Sequence, residues 1–147
     1  MKPDVKIEVN NNAEEVESKF IVDSLIKYNL QKSPINQDPP FETINLILKG
    51  ENGSIIGGLL GALGRSCYYL EYLWIDENYR GLGYGKKLLD EIEKRVKEKG
   101  CKVITLNTFS FQAPEFYKKN GYTVFGTLDG FQEGVCRYYL KKDIYRN

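Results

Sequence analysis

Leu70-Glu71-Tyr72-Leu73-Trp74-Ile75-Asp76-Glu77-Asn78-Tyr79-Arg80-Gly81-Leu82-Gly83-Tyr84-Gly85 is the stretch on which the fold turns. A strand-like run over residues 68–75 gives way to a short polar turn, and Arg80 with three glycines at alternate positions leads into a charged, amphipathic segment. This reads as a strand, a tight loop and a helix start. N–H groups at a helix N-terminus have no partner inside the helix and are backed by its dipole, so they suit a phosphate or pyrophosphate. Gly81, Gly83 and Gly85 permit close approach and unusual dihedrals, and Arg80 adds positive charge at the rim. A plain glycine-rich strand-to-helix turn has the same composition, so glycine spacing alone leaves both readings open.

Downstream, residues 82–99 are the clearest helix. Leu88, Leu89, Ile92 and Val96 form its buried stripe, and Gly100 suits its C-terminal stop. Asp90 with Lys94, Glu91 with Arg95 and Glu93 with Lys97 are spaced for i,i+4 ion pairs. Residues 102–107 read as the next strand, parallel to the central one because a helical crossover intervenes. Pro114 opens a short helix ending near Asn120-Gly121, and residues 122–126 and 136–141 read as a closing antiparallel pair.

Upstream, residues 44–48 and 54–63 read as strands joined by the turn Glu51-Asn52-Gly53, and Arg65-Ser66 turns the chain into the central strand. Gly57, Gly58 and Gly61 mark a bulge or a close backbone approach. Residues 5–9 alternate as a short first strand would. A helix is expected over residues 13–29, capped by Asn11 or Asn12. Residues 30–40 hold three prolines and form a loop, either a connector or a substrate-recognition segment. The sum is an α/β fold: a mixed, mostly antiparallel twisted sheet with one parallel crossover and helices on both faces, as one domain over 1–147.

Bulk properties narrow the function. With 147 residues, 41% hydrophobic and 28% charged, the chain suits one soluble globular domain. Lysine plus arginine number 21 against 20 acidic residues, which gives no general basic field for nucleic acid. Cys67, Cys101 and Cys136 have no metal or disulfide spacing, so reduced thiols in a cytoplasmic protein are expected. Histidine is absent, which removes the commonest zinc ligand and the usual general base; no metal site is expected. No apolar run is long enough for a membrane span.

Arg80-x-x-Gly83-x-Gly85, preceded by Leu73-Trp74-Ile75-Asp76, resembles the acyl-coenzyme A signature of the GCN5-related N-acetyltransferase family. Phe116-Tyr117-Lys118-Lys119-Asn120-Gly121-Tyr122 resembles that family's second segment, and the likeness covers roughly residues 43–125. It implies the acyl-CoA N-acyltransferase fold and acetyl-CoA as co-substrate. The pyrophosphate would then meet backbone N–H groups of Leu82, Gly83, Tyr84, Gly85 and Lys86, with Arg80 and Lys86 side chains at the edge and Gly81 in the loop. In family members the central and following parallel strands splay, and the pantetheine arm lies in the gap. Carried over, the backbones of Leu73 and Ile75 would pair with that arm, and Ala113, Phe116 and Tyr117 would line its other side. Family members often carry asparagine seven residues before the tyrosine; Ser110 stands there, which leaves that hydrogen-bonding role open.

Acyl transfer to an amine needs a deprotonated amine, a stabilised oxyanion and a protonated leaving thiolate. Glu71, interrupting an apolar strand, is the base candidate, with a water chain as the other route. Tyr117 matches the family's general acid. The oxyanion donor is expected near Ile75, at a strand distortion. The resemblance therefore implies an N-acetyltransferase acting by direct transfer in a ternary complex. The acceptor would be a small-molecule or peptide amine. Exposed strand edges near the C-terminus are compatible with a homodimer. The alternative is a non-catalytic acyl-CoA-binding or regulatory protein of the same fold.

Overall fold

The computed structural model describes residues 4–11, 15–33 and 42–145. The chain separates into two compact units, Met1–Gln37 and Asp38–Asn147. In the first, α1 runs over Val16–Lys32, three residues later than the expected 13–29, and begins at Glu15 without a side-chain cap. Residues 4–11 form no strand although Val5, Ile7 and Val9 alternate. Alternation favours a strand only where a neighbouring ladder takes up its N–H and C=O groups. Most of the loop predicted over residues 30–40 lies outside the described residues, and Leu30 to Lys32 are still helical.

The second unit is a seven-stranded sheet. Its strands are β1 (Glu42–Thr43), β2 (Leu46–Lys49), β3 (Ile55–Gly64), β4 (Cys67–Ile75), β5 (Val103–Phe109), β6 (Thr123–Gln132) and β7 (Val135–Asp143). They lie in the order β1-β3-β4-β5-β7-β6, with β2 also on β3. Every pairing is antiparallel except β4 with β5. Helix α2 (Tyr84–Glu98) makes that parallel crossover, and α3 (Pro114–Lys119) leads from β5 towards β6. The expectation of a helix on the second face of the sheet concerns α1, which belongs to the other unit.

The core lies between the sheet and these two helices. Leu88, Leu89, Ile92 and Val96 of α2 pack with Leu59, Tyr68, Leu70, Ile104 and Leu140 from the strands, and with Tyr117 and Tyr122. Gly100, at φ 84°, ends α2, and the Cys101 N–H returns to the Val96 carbonyl at 2.9 Å. Of the i,i+4 pairs anticipated on α2, Glu91 with Arg95 forms at 2.7 Å. Asp90 instead binds Lys86, and Glu93 turns inward to the Lys142 ammonium at 2.7 Å and the Tyr122 hydroxyl at 3.1 Å. Lys142 also donates to the Asn120 carbonyl, so one carboxylate ties α2 to β7 and to the end of α3. Cys101 is buried, Cys67 and Cys136 are half-buried, and all three are free thiols.

Two irregularities shape β4. The expected strand over residues 44–48 breaks at Asn45, whose side-chain oxygen accepts the Gly61 N–H while the Ile44 N–H binds the Gly61 carbonyl. A Cβ on Gly61 would collide with the Tyr68 hydroxyl and the Tyr69 carbonyl, so only glycine fits. Opposite Gly61 the register slips: Leu60 faces Tyr72 and Gly61 faces Leu70, leaving Glu71 as the extra residue of a β-bulge. The slip inverts the alternation. Tyr68 and Leu70 face the core before it, and after it Leu73 and Ile75 point inward.

The β3–β4 hairpin closes with Arg65 (φ 50°) and Ser66 (φ 66°), both left-handed without glycine. That is the backbone of a two-residue turn that normally takes Asn-Gly. The Ser66 carbonyl holds it in place by accepting the Lys102 N–H at 2.8 Å. Ser66→Gly should therefore raise unfolding stability by about 1 kcal/mol, the usual cost of an L-residue in this region. Urea denaturation of both proteins checks this, and an unchanged midpoint would mean that the turn is unstrained.

Candidate functional site

After Tyr69, β4 and β5 part. Their parallel ladder comprises Cys67 with Val103, Tyr68 with Ile104 and Tyr69 with Thr105, and then ends. On the other edge of β4 the Asp76 N–H binds the Ile56 carbonyl at 2.8 Å. Backbone groups alternate along an antiparallel ladder. The N–H and C=O groups of Leu73 and Ile75 therefore point away from β3, into the opening left by β5. The Ile75 carbonyl is taken by the Arg80 Nε at 2.8 Å, which folds the arginine across the end of β4.

The loop beyond β4 is built in short steps. Asp76 accepts the Asn78 N–H at 2.9 Å and caps a single 3-10 turn over Glu77–Tyr79. Gly81 (φ 75°) and Gly83 (φ 87°) follow in left-handed conformations, each with open space where a Cβ would stand. Gly83 is the N-cap of α2, and the first helical bond runs from the Lys87 N–H to its carbonyl at 3.1 Å. The N–H groups of Tyr84, Gly85 and Lys86 precede that bond and have no acceptor in the helix. Gly85 serves packing instead: a Cβ there would stand 2.9 Å from the Phe116 ring, so glycine lets α3 close on α2. Lys86 is ion-paired with Asp90 at 2.7 Å, and that carboxylate holds its ammonium above the ordinary lysine range.

These elements enclose a cleft of about 750 Å³. Leu73, Ile75 and Arg80 line it from β4 and the loop, Gly81, Gly83, Tyr84, Gly85 and Lys86 from the helix start, and Ala113 and Phe116 from α3. Leu82, expected to act through its backbone N–H, turns its side chain to solvent, and Ser110, the other anticipated residue outside the lining, stands elsewhere. Ser110 is bound to the β6–β7 hairpin, its hydroxyl accepting the Cys136 N–H at 3.1 Å and its own N–H binding the Cys136 carbonyl. That hairpin extends further than residues 122–126 and 136–141 suggested, and so reaches Ser110.

Sequence reasoning missed Trp74, Tyr79, Phe111 and Gln112, which complete the lining. Gln112 is the most consequential of them. Its Oε1 accepts the Phe109 N–H at 2.7 Å and the Thr108 hydroxyl at 3.2 Å. An N–H donor can be met only by the amide oxygen, so the Nε2 donor is turned the other way. The one signal for it was its place beside Ala113-Pro114, where a side chain can fold back on the strand end.

A second, smaller cavity of about 160 Å³ adjoins the cleft, sharing Leu73, Gln112, Ala113 and Phe116 with it. Glu71 and Tyr117 both line it, with Asn107 and Thr108. Tyr117 is buried against Phe116 and Tyr122, and desolvation pushes its hydroxyl up to about 12 from the ordinary 10.0. It is therefore protonated throughout the physiological range. Glu71 differs from expectation: the bulge leaves it exposed rather than enclosed in an apolar strand. The strand distortion also lies at Glu71 and not at Ile75. Beyond this cavity a groove of about 710 Å³ continues past Glu71, Tyr72 and Asn107. Among the described residues no acidic, cysteine or histidine cluster could hold a metal, and no helix is long and apolar enough to cross a membrane.

The fold recurs in known proteins. The blasticidin-S acetyltransferase of Streptomyces morookaense is 31% identical over 116 residues, 78% of this chain and 85% of its own. The crystal structure of an acetyltransferase from Bacillus cereus ATCC 14579 is 38% identical and superposes with a TM-score of 0.81 over 92% of this chain and 97% of its own. A protein of Bacillus anthracis str. Ames assigned as a streptothricin acetyltransferase was solved with acetyl coenzyme A. It is 26% identical, with a TM-score of 0.61 over 69% of this chain and 62% of its own. The model of the acetyltransferase (GNAT) family matches residues 14–122. With its splayed β4 and β5, glycine cradle and paired clefts, the chain belongs to this family and is an acetyl-CoA-dependent acetyltransferase.

Proposed function

We propose that the protein moves the acetyl group directly from acetyl-CoA to a primary amine, with both substrates bound at once. The observation that carries this reading is the run of three adjoining cavities through the β4–β5 gap. The glycine loop is at one end, Tyr117 and Glu71 are in the middle, and an open groove is at the other end. The cofactor and the acceptor enter from opposite sides and meet at the tyrosine.

The residues fit acetyl-CoA. Three unpaired N–H groups at the start of α2 and two left-handed glycines without a Cβ suit a pyrophosphate. The free N–H and C=O groups on the open edge of Leu73 suit an amide-bearing arm. When bound, acetyl-CoA supplies an activated acetyl thioester. Glu71, reached through the groove, accepts the proton that the ammonium must lose, directly or through a water chain. The Tyr117 hydroxyl faces the departing sulfur. With the phenol at about 12 and a thiol ordinarily near 8.5, full proton transfer is uphill by roughly 5 kcal/mol. Tyr117 thus acts first as a hydrogen-bond donor to developing negative charge.

Three measurements test this. Gly83→Val forces a β-branched residue into a left-handed cap and should weaken acetyl-CoA binding at least ~10-fold by calorimetry while circular dichroism stays unchanged. Unaltered affinity would remove the cradle from this loop. Tyr117→Phe should bind acetyl-CoA normally and turn over ~10²-fold more slowly on an accepted amine, followed by thiol release. Full activity would sink the assignment of Tyr117. Glu71→Gln should lower the rate most near neutral pH and least at alkaline pH, where free amine predominates. An equal loss at every pH would leave Glu71 positioning substrate only.

A further inference from the structure

We infer that the groove beyond the gap selects an acceptor carrying an oxyanion remote from its amine, with Arg137 as the anion-binding residue. This rests on the acetyl-transfer reading above and adds the acceptor's chemistry. Pairing of Tyr69 with Thr105, Asn107 with Tyr139 and Phe109 with Arg137 sets these side chains on one face of the sheet. Core residues such as Ile104, Leu106 and Leu140 occupy the other face. At about 710 Å³ the groove is sized for a small molecule rather than a protein segment. Tyr72, Tyr139 and Phe125 give it aromatic walls. Phe125 is the extra residue of a second bulge, between the pairs Val124–Leu140 and Gly126–Tyr139, and its ring lies 6.4 Å from that of Tyr139.

Charge is arranged at two ends. Glu71 lines the groove from β4, beside Tyr117, and Arg137 lines it from β7, with β5 between them. Arg137 is half-buried, its guanidinium carbon 4.7 Å from the centre of the Phe109 ring and 5.0 Å from that of Phe131. The two rings attract its charge but offer no hydrogen-bond acceptor in the manner of a carboxylate. Its Nε is buried with no hydrogen-bond partner, and among the described residues no carboxylate pairs with it. A cation clamped in place, facing a groove and lacking an acceptor, is built to receive a carboxylate or phosphate oxygen. Two strand spacings would put β4 and β7 roughly 10 Å apart, and the parting of β4 and β5 after Tyr69 sets Glu71 and Arg137 further apart than that. An amine at Glu71 and an oxyanion at Arg137 must therefore stand several bonds apart, joined by a flat or apolar body. An α-amino acid, with both groups on one carbon, does not meet this requirement.

The test is a matched pair titrated calorimetrically into the full chain saturated with coenzyme A: 4-(aminomethyl)benzoate and its neutral amide, 4-(aminomethyl)benzamide. The benzoate should bind at least ~10-fold tighter, the worth of one charge-assisted hydrogen bond. Arg137→Gln should bring the ratio to about one, and Arg137→Lys should keep part of it. In turnover with acetyl-CoA the Arg137→Gln loss should fall on KM for the benzoate and not on kcat. Equal binding by the wild-type protein, a preference that survives in Arg137→Gln, or no binding of either compound overturns the inference. The wild-type comparison stands even if the glutamine variant misfolds. Failure to saturate with coenzyme A would count instead against the reading of the cofactor cleft.

Discussion

One inserted residue governs the site. Glu71 has no partner of its own on β3, and the bulge it creates shifts every later side chain of β4 by one position. Without it, Tyr72 and Trp74 would point towards α2, and Leu73 and Ile75 would leave the core. With it, β4 keeps one buried face despite the change of phase, and bulges add local twist that helps carry a strand away from its neighbour. The parallel ladder to β5 stops at Tyr69, two residues before the bulge. The opening that follows holds the cleft, the tyrosine and the way through to the groove beyond.

That bulge is itself held by Gly61. The glycine gives its N–H to Asn45 and its carbonyl to Ile44, and the Tyr68 hydroxyl reaches past it to the Ile44 carbonyl at 2.7 Å. A site of this kind needs a backbone fixed to within a fraction of an ångström, and these partly buried hydrogen bonds to Ile44 and Asn45 help to fix it. On the far side of α2, Glu93 does similar work by joining the helix to Lys142 and Tyr122. The N-terminus of α2 and the buried Tyr117 on α3 are thereby referenced to the same sheet.

Much of this could be read from residue types. The glycine loop was legible because left-handed turns demand glycine, and Gly81 and Gly83 take that conformation. Helix α2 was legible because its apolar stripe repeats at helical spacing. The bulge was harder to find: Glu71-Tyr72 is a pair of adjacent outward residues between two inward ones, but tyrosine suits either face and hides the slip. Ser110 stands outside the expected lining and the unforeseen Gln112 within it because the direction of a side chain at a strand end depends on which partner it finds. The Ser110 hydroxyl finds Cys136, and the Gln112 amide finds the loop. Glu93 likewise prefers a lysine 49 positions away to one four positions away, since burial strengthens a pair that solvent would weaken.

The same balance explains why the two candidate groups differ so much in setting. In the proposed reaction Tyr117 stays neutral until negative charge develops near it, and burial keeps it so by penalising the phenolate. Glu71 is exposed on β4, not enclosed as its neighbours suggested, so a proton taken there in the proposed reaction passes on to solvent. The bulge sets the Glu71 carboxylate outward on β4, while Leu70 and Leu73 on either side of it remain packed against the core that surrounds Tyr117.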